Sequence, residues 1–265
     1  MNKMRIAVGQ AEAVSGEVSR NVQTALRLLS RAAEQEADLL VLPELFLCGY
    51  DLQALTEMGV SAAINVEDEA VVLLRQRCAE LGIAVTVGAS LRTSNGMTNS
   101  ALVVDSCGEV IDIYEKVNLW AEERKLFVAG DRLSIMELAG FRVGVAICYD
   151  AGFPEHIRAL TLSGAEVIVC PSAFALGDEQ RRYRMYFPMR ALENTVYVAV
   201  SNLVGRGGRE EFFGESAVFD PAGRTIADAG HEEGISVAEV SRERIAVVRR
   251  ELRYLEHRRP EIYSS

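Results

Sequence analysis

The chain has 265 residues, with 28 Lys and Arg against 38 Asp and Glu, a formal net charge of −10, and 49% hydrophobic and 25% charged residues. This balance excludes a disordered chain, and the acidic excess speaks against a nucleic-acid partner, which needs a basic face. At roughly 150 residues per domain the length fits one or two domains, and without a Pro/Gly/Ser linker or composition break the reading is one. The longest greasy segment, residues 37–50, is interrupted by Pro43 and Glu44, short of a membrane span. The first residues reach polar Gln10 and Glu12 too early for a signal peptide, and five cysteines with no C-x-x-C pair point to reduced thiols. The expectation is a cytoplasmic protein with no membrane contact.

Apolar, β-branched runs alternate with amphipathic stretches, the pattern of sheets covered by helices. The patterning predicts a strand at 4–8, a helix at 18–35 and a buried strand at 38–42 stopped by Pro43. A helix at 69–81 ends at Gly82, a strand follows at 83–90, and strands at 100–105 and 109–114 flank Ser106-Cys107-Gly108 as a hairpin. Next come a strand at 141–147, a helix opening at Pro154, a strand at 166–170, a helix at 178–194, a strand at 196–202 and a hairpin around 220–223. Residues 241–265 read as a helical, then irregular, Arg-rich tail, either at the surface or reaching a neighbouring subunit. The cluster Gly205-Arg206-Gly207-Gly208-Arg209 reads as a mobile loop. A faint echo links ADLLVLPEL at 37–45 with AEVIVCPSA at 165–173, through duplication or through a shared strand-stop signal.

Ligand crevices of α/β sheets lie outside the carboxyl ends of strands, so the residues that follow apolar strands are the candidates for chemistry. Glu44 follows DLLVLP, Lys116 follows VIDIYE and Cys148 follows VGVAI. Cys148 sits at a strand-to-helix turn, where backbone N–H groups favour a thiolate and an oxyanion; the plain alternative is a packed thiol. Glu44, among Leu42, Leu45, Phe46 and Leu47, suits a carboxyl raised in pKa by burial and able to act as base, or an ion-paired structural acid. Lys116 is one of only three lysines, with Lys3 and Lys125, and offers a compact cation for an oxyanion, or simply a surface charge. The histidines His156, His231 and His257 read as exposed or capping residues. No G-x-S-x-G elbow, H-E-x-x-H, Walker loop or strand-borne G-x-G-x-x-G is present.

The chain resembles the carbon–nitrogen hydrolase (nitrilase) family over nearly its whole length, in PELFLCGY at 43–50, YEKVNLW at 114–120, ERKLFVAGD at 123–131, VGVAICYDAGFPEHIR at 143–158, VIVCPSAF at 167–174, RALENTVYVAVSN at 190–202 and GESAVFDPAGR at 214–224. The resemblance implies a single α/β domain folded as a four-layer αββα sandwich. It implies a homodimer or higher homo-oligomer, no metal and no organic cofactor. It places the family's triad on Glu44, Lys116 and Cys148 and its second glutamate on Glu123, which would orient Lys116 or a substrate amide nitrogen. Tyr50, Trp120, Tyr149, Ala173 and Phe174 are expected to line the pocket, with Arg124 or an arginine of 181–190 available for a substrate carboxylate. Tyr149-Asp150 after the nucleophile resembles the amidase branches, so the expected activity is hydrolysis of a small aliphatic or amino-acid-derived amide. N-carbamoyl amide hydrolysis or nitrile hydrolysis by the same triad is the alternative, and a thiol redox sensor or binding protein is the non-enzymatic one.

Overall fold

The structure is a computed structural model and describes residues 2–263. In chain order it contains β1 (Lys3–Gln10), α1 (Val18–Glu34), β2 (Leu39–Val41), α2 (Leu52–Met58), α3 (Glu69–Leu81), β3 (Ala84–Thr93), β4 (Gly96–Val104), β5 (Val110–Glu115), α4 (Glu123–Leu126), β6 (Ser134–Leu138) and β7 (Phe141–Val145). There follow α5 (Pro154–Leu162), β8 (Val167–Ser172), α6 (Asp178–Asn194), β9 (Tyr197–Asn202), β10 (Val204–Gly207), β11 (Glu210–Phe213), β12 (Ala217–Phe219), β13 (Thr225–Asp228), β14 (Gly234–Ser241), α7 (Arg242–Glu251), α8 (Tyr254–His257) and α9 (Pro260–Tyr263).

The strands form two six-stranded sheets, ordered β14-β1-β2-β3-β4-β5 and β6-β7-β8-β9-β12-β13. Read in these directions, the two share one pairing pattern. In each, an antiparallel edge strand leads to three parallel strands and then to two antiparallel ones. The echo seen in the sequence therefore has a structural counterpart, because β2 and β8 occupy equivalent positions and the sheets face each other through β1, β2, β3, β8 and β9.

Alternation along the strands builds the layers. Ile6, Val8, Leu39 and Val41 share one apolar cluster with Val143, Val145, Val167 and Val169 between the sheets. Their neighbours Ala7, Leu40 and Leu42 turn the other way, against Leu28, Leu29 and Ala32 of α1 and Leu74 of α3. On the far side of the second sheet, Ile157 and Leu160 of α5 and Phe187 and Ala191 of α6 close the fourth layer. The result is an αββα sandwich.

The expected strands and long helices are present, while β6, β14, α2 and the first half of β4 carried no strand or helix expectation. The 205–209 cluster is not a free loop: it belongs to the antiparallel ribbon β10–β11. A Cβ on Gly207 would stand 2.3 Å from the Tyr50 carbonyl oxygen, so the ribbon's close seat on that segment requires glycine. His156 is buried rather than exposed, its Nε2 lying 3.3 Å from the Tyr114 hydroxyl. The segment from 241 divides in two. Helix α7 packs on β14, burying Ile245 and Val248 and pairing Arg242 with Glu166 and Arg244 with Asp220, whereas α8 and α9 lie at the surface. Residues 264 and 265 lie outside the described residues. Among the described residues no helix is long and apolar enough to cross a membrane.

Candidate active site

Three strand ends deliver the chemistry-bearing side chains. Pro43 stops β2, and the chain turns so that Glu44 N–H donates to the Ser172 carbonyl at the end of β8 (3.3 Å). Gly88 of β3 backs this turn: its N–H donates to the Pro43 carbonyl (3.0 Å), and a Cβ there would stand 2.6 Å from Glu44 Cα. Lys116 follows β5 directly, pinned by its own N–H on the Asn99 carbonyl (2.8 Å) and by Gly130 N–H on its carbonyl (2.9 Å). Cys148 opens the tight turn after β7 with φ of 45°, a left-handed conformation that a side chain adopts only when its surroundings enforce it.

Glu44, Lys116 and Glu123 are all fully buried. Lys116 Nζ lies 2.6 Å from Glu44 Oε1 and 2.9 and 2.8 Å from the two oxygens of Glu123. Glu123 is saturated: Oε1 also accepts from the Tyr50 hydroxyl (2.7 Å) and Oε2 from the Trp120 N–H (2.8 Å). Glu44 is only half used. Its Oε1 accepts from Lys116 and from Asn99 Nδ2 (2.7 Å), while its Oε2 is buried without a hydrogen-bond partner. A buried acceptor left open is costly and therefore unusual, and it equips Glu44 to receive a proton.

The electrostatics follow from burial and three neighbouring charges. Burial is the main cause that raises the Glu44 carboxyl to about 7, helped by Glu123 and opposed by Lys116 and Asn99. Burial alone would push the Lys116 ammonium down, but Glu44 and Glu123 reverse this and hold it well above its ordinary value. Cys148 is pushed well above the usual thiol range by burial and by Glu44, with Lys116 and a backbone hydrogen bond with Ala173 working against the shift. The resting pair is thus a thiol beside a carboxyl that titrates near neutrality.

A cavity of about 470 Å³ reaches Cys148, while Glu44, Lys116 and Glu123 lie buried behind its wall. Cys148 lines it, together with all five expected wall residues, Tyr50, Trp120, Tyr149, Ala173 and Phe174. Trp120 and Tyr149 meet edge to face at 4.8 Å between centroids and give one side of the wall an aromatic surface, while Glu179, Arg182 and Arg209 add charged groups elsewhere on it. Of the candidate arginines, Arg182 reaches the cavity, its guanidinium carbon 5.5 Å from the Trp120 ring centroid. Arg124 instead donates to the Leu119 carbonyl (3.2 Å) and is not part of the wall.

Sequence reasoning missed Asn99, which holds Glu44; Phe212, Gly208 and Arg209 of the ribbon, which complete the wall; and Asp150. A polar Asn within a strand was the available signal for Asn99. Nothing local marked the ribbon.

A buried acid and ammonium beneath two packed sheets, with a thiol on the wall of one cavity, make an arrangement suited to hydrolysis of a carbon–nitrogen bond. The family profile described as carbon–nitrogen hydrolase matches residues 5–250, and the chain belongs to this family. It is 31% identical to the 2-oxoglutaramate amidase of Bacillus subtilis over 264 residues, covering 98% of this chain and 100% of that one. It is 30% identical to the deaminated glutathione amidase of Escherichia coli O157:H7, covering 97% of each. The amidase from Nesterenkonia sp. AN1, in a variant showing covalent addition of the acetamide moiety of fluoroacetamide at the active site cysteine, matches with a TM-score of 0.86 at 31% identity, over 99% of this chain and 96% of that one. The protein is an amidase that acts on carbon–nitrogen bonds.

Proposed function

We propose that this enzyme hydrolyses a small aliphatic or amino-acid-derived amide to its carboxylic acid and ammonia through a thioester on Cys148. The observation that carries the reading is the Lys116 ammonium clamped between Glu44 and Glu123, together with the Cys148 thiol on the wall of a cavity.

The sequence of events follows from the charges. With the Cys148 thiol raised in pKa, a standing thiolate is disfavoured, so proton transfer to the open Oε2 of Glu44 accompanies attack of sulfur on the amide carbonyl. The C–S bond forms, the carbonyl electron pair moves to oxygen, and Lys116 with the Tyr149 backbone N–H stabilises this oxyanion. As the oxyanion re-forms the carbonyl, the C–N bond breaks, and Glu44 returns its proton to the departing nitrogen, which leaves as ammonia. Water, deprotonated by Glu44, adds to the thioester; collapse expels the Cys148 sulfur, which regains a proton from Glu44, and the acid is released. Glu123, with both oxygens already engaged, orients Lys116 rather than binding the amide nitrogen.

Ammonia release from a panel of amides, N-carbamoyl compounds and nitriles, with Cys148→Ala as control, tests the reading. Release from small amides by the wild type alone is the expected result. Turnover confined to carbamoyl compounds or nitriles overturns the substrate class, and reversible thiol oxidation without any turnover overturns the enzyme mechanism. The reading extends to assembly: a homodimer or higher homo-oligomer is expected, with exposed Leu162, Met185, Met189 and Tyr254 as apolar surface. Sedimentation at a single chain's mass overturns that part.

A further inference from the structure

Between the nucleophile turn and the Lys116 segment lies a buried acid that the mechanism above leaves without a role. Asp150 is fully buried, and its carboxylate accepts four hydrogen bonds. Oδ2 accepts from the Ile147 N–H (2.9 Å) and from the Tyr114 hydroxyl (2.7 Å). Oδ1 accepts from the Asn118 N–H (2.9 Å) and from Asn118 Nδ2 (2.8 Å). A buried carboxylate is tolerated when its lone pairs are satisfied in this way.

The placement of these donors is informative. Ile147 and Asp150 flank Cys148 and Tyr149, and the Asp150 N–H also returns to the Ile147 carbonyl (2.9 Å), so the carboxylate closes a ring around the nucleophile turn. Tyr114 and Asn118 lie two residues either side of Lys116, so the same carboxylate grips the lysine segment on both flanks. The two proposed oxyanion donors, Tyr149 N–H and Lys116 Nζ, come from these two segments, and no direct hydrogen bond between the segments is present other than through Asp150 among those of the described residues. The strained φ of 45° at Cys148 also needs a restraint of this kind.

We propose that Asp150 is the positioning residue that sets the spacing between the two halves of the oxyanion site, acting through Lys116 and Tyr149 without touching substrate. The proposal rests on the hydrolytic reading above. It makes a specific demand: loosening Asp150 impairs stabilisation of the tetrahedral intermediate while leaving the nucleophile's own reactivity and ground-state binding intact. Donor misplacement of this order removes much of what an oxyanion donor supplies, about 10²-fold in rate.

The test compares wild type with Asp150→Asn, which keeps the shape but presents an NH₂ group to a donor, and with Tyr114→Phe and Asn118→Ala, which each remove part of the grip. For each, kcat and KM are measured by ammonia release from an amide the wild type turns over. Alkylation of Cys148 by iodoacetamide, a displacement that needs no oxyanion donor, is followed by peptide mass in parallel with thermal unfolding. Expected is a fall in kcat of about 100-fold for Asp150→Asn and about tenfold for each milder variant, with KM and the Cys148 alkylation rate within about threefold of wild type. Undiminished kcat in all three overturns the proposal. A parallel loss of alkylation or of folding in the two milder variants, matching the loss in kcat, also overturns it by reducing Asp150 to a structural acid. If the wild type turns over no amide, the hydrolytic reading fails and this proposal falls with it; normal wild-type turnover with fully active variants sinks this proposal alone.

Discussion

Glu44 commits one carboxylate oxygen to Lys116 at 2.6 Å and keeps the other buried with no partner. That asymmetry leaves Glu44 a counter-ion on one oxygen and, in the mechanism proposed above, a proton acceptor on the other. Because Lys116 also pairs with Glu123 at 2.8 Å, its removal leaves a second buried carboxylate without its cation.

Lys116→Met leaves Glu44 and Glu123 in the interior without their shared cation. Breaking a buried pair in this way typically costs about 3–5 kcal/mol. Urea unfolding should show a loss of that order, and ammonia release should fall at least ~100-fold through loss of the oxyanion donor. A variant as stable and as active as wild type removes Lys116 from both roles.

Glu44 titrates near 7 in the fold against an ordinary value of 4.5. Because the folded value is the higher, the folded chain binds the extra proton between these limits. The contribution of this group to stability is therefore fully present below about pH 4.5 and is lost as the pH rises through about 7. Activity runs the opposite way under the proposed mechanism, in which Glu44 must be unprotonated to act as base: kcat/KM should climb with pH through an apparent value near 7. Unfolding free energies and pH–rate profiles of wild type and Glu44→Gln check both signs. Glu44→Gln should be nearly inactive and should lack this component of the pH dependence of stability.

Gly88→Ala places a methyl group 2.4 Å from both the Leu45 nitrogen and the Pro43 carbonyl oxygen, beneath the turn that carries Glu44. Backbone must move to accommodate it, and overpacking of this kind costs about 1–3 kcal/mol. Displacement of the base by a fraction of an ångström should reduce kcat about 100-fold with only a small change in KM. Steady-state kinetics with full retention of kcat would show that the turn tolerates the shift.

Arg182 is the candidate arginine that reaches the cavity, held over the Trp120 ring with Glu179 at 3.5 Å. If it reads a substrate carboxylate, Arg182→Gln should raise KM about tenfold for an amide bearing a distal carboxylate, the loss of one charge-assisted contact, and leave butyramide unaffected. Equal KM changes for both substrates exclude it from carboxylate recognition.

Some features of this protein were written in short stretches of chain. The alternation of apolar strands with amphipathic helices pointed to sheets covered by helices, and the four-layer αββα sandwich came from the family resemblance alone. Glu44, Lys116 and Cys148 stood out because each follows an apolar strand, where α/β sheets expose their ends. The five wall residues Tyr50, Trp120, Tyr149, Ala173 and Phe174 were expected through the family resemblance, and all five line the cavity. The 205–209 cluster was misread because glycine content speaks for loop freedom, whereas Gly207 is there to let the ribbon approach Tyr50. His156 was misread because exposure is not a local property: the Tyr114 hydroxyl that covers it comes from β5, 42 residues away.

What the chain determined by itself was which groups are available and at which strand ends they stand, since periodicity and stop signals act over a few residues. Only the tertiary structure decided how those groups work: the strand order of the first sheet brings the β2, β4 and β5 segments that carry Glu44, Asn99 and Lys116 together, and the second sheet adds Cys148. Hydrogen bonds spanning 72 residues from Lys116 to Glu44 and 55 from Asn99 to Glu44 fix which oxygen of the base is occupied and which is free. The pKa values depend on the water excluded when the layers close, a property of three-dimensional neighbours that no local run of residues encodes.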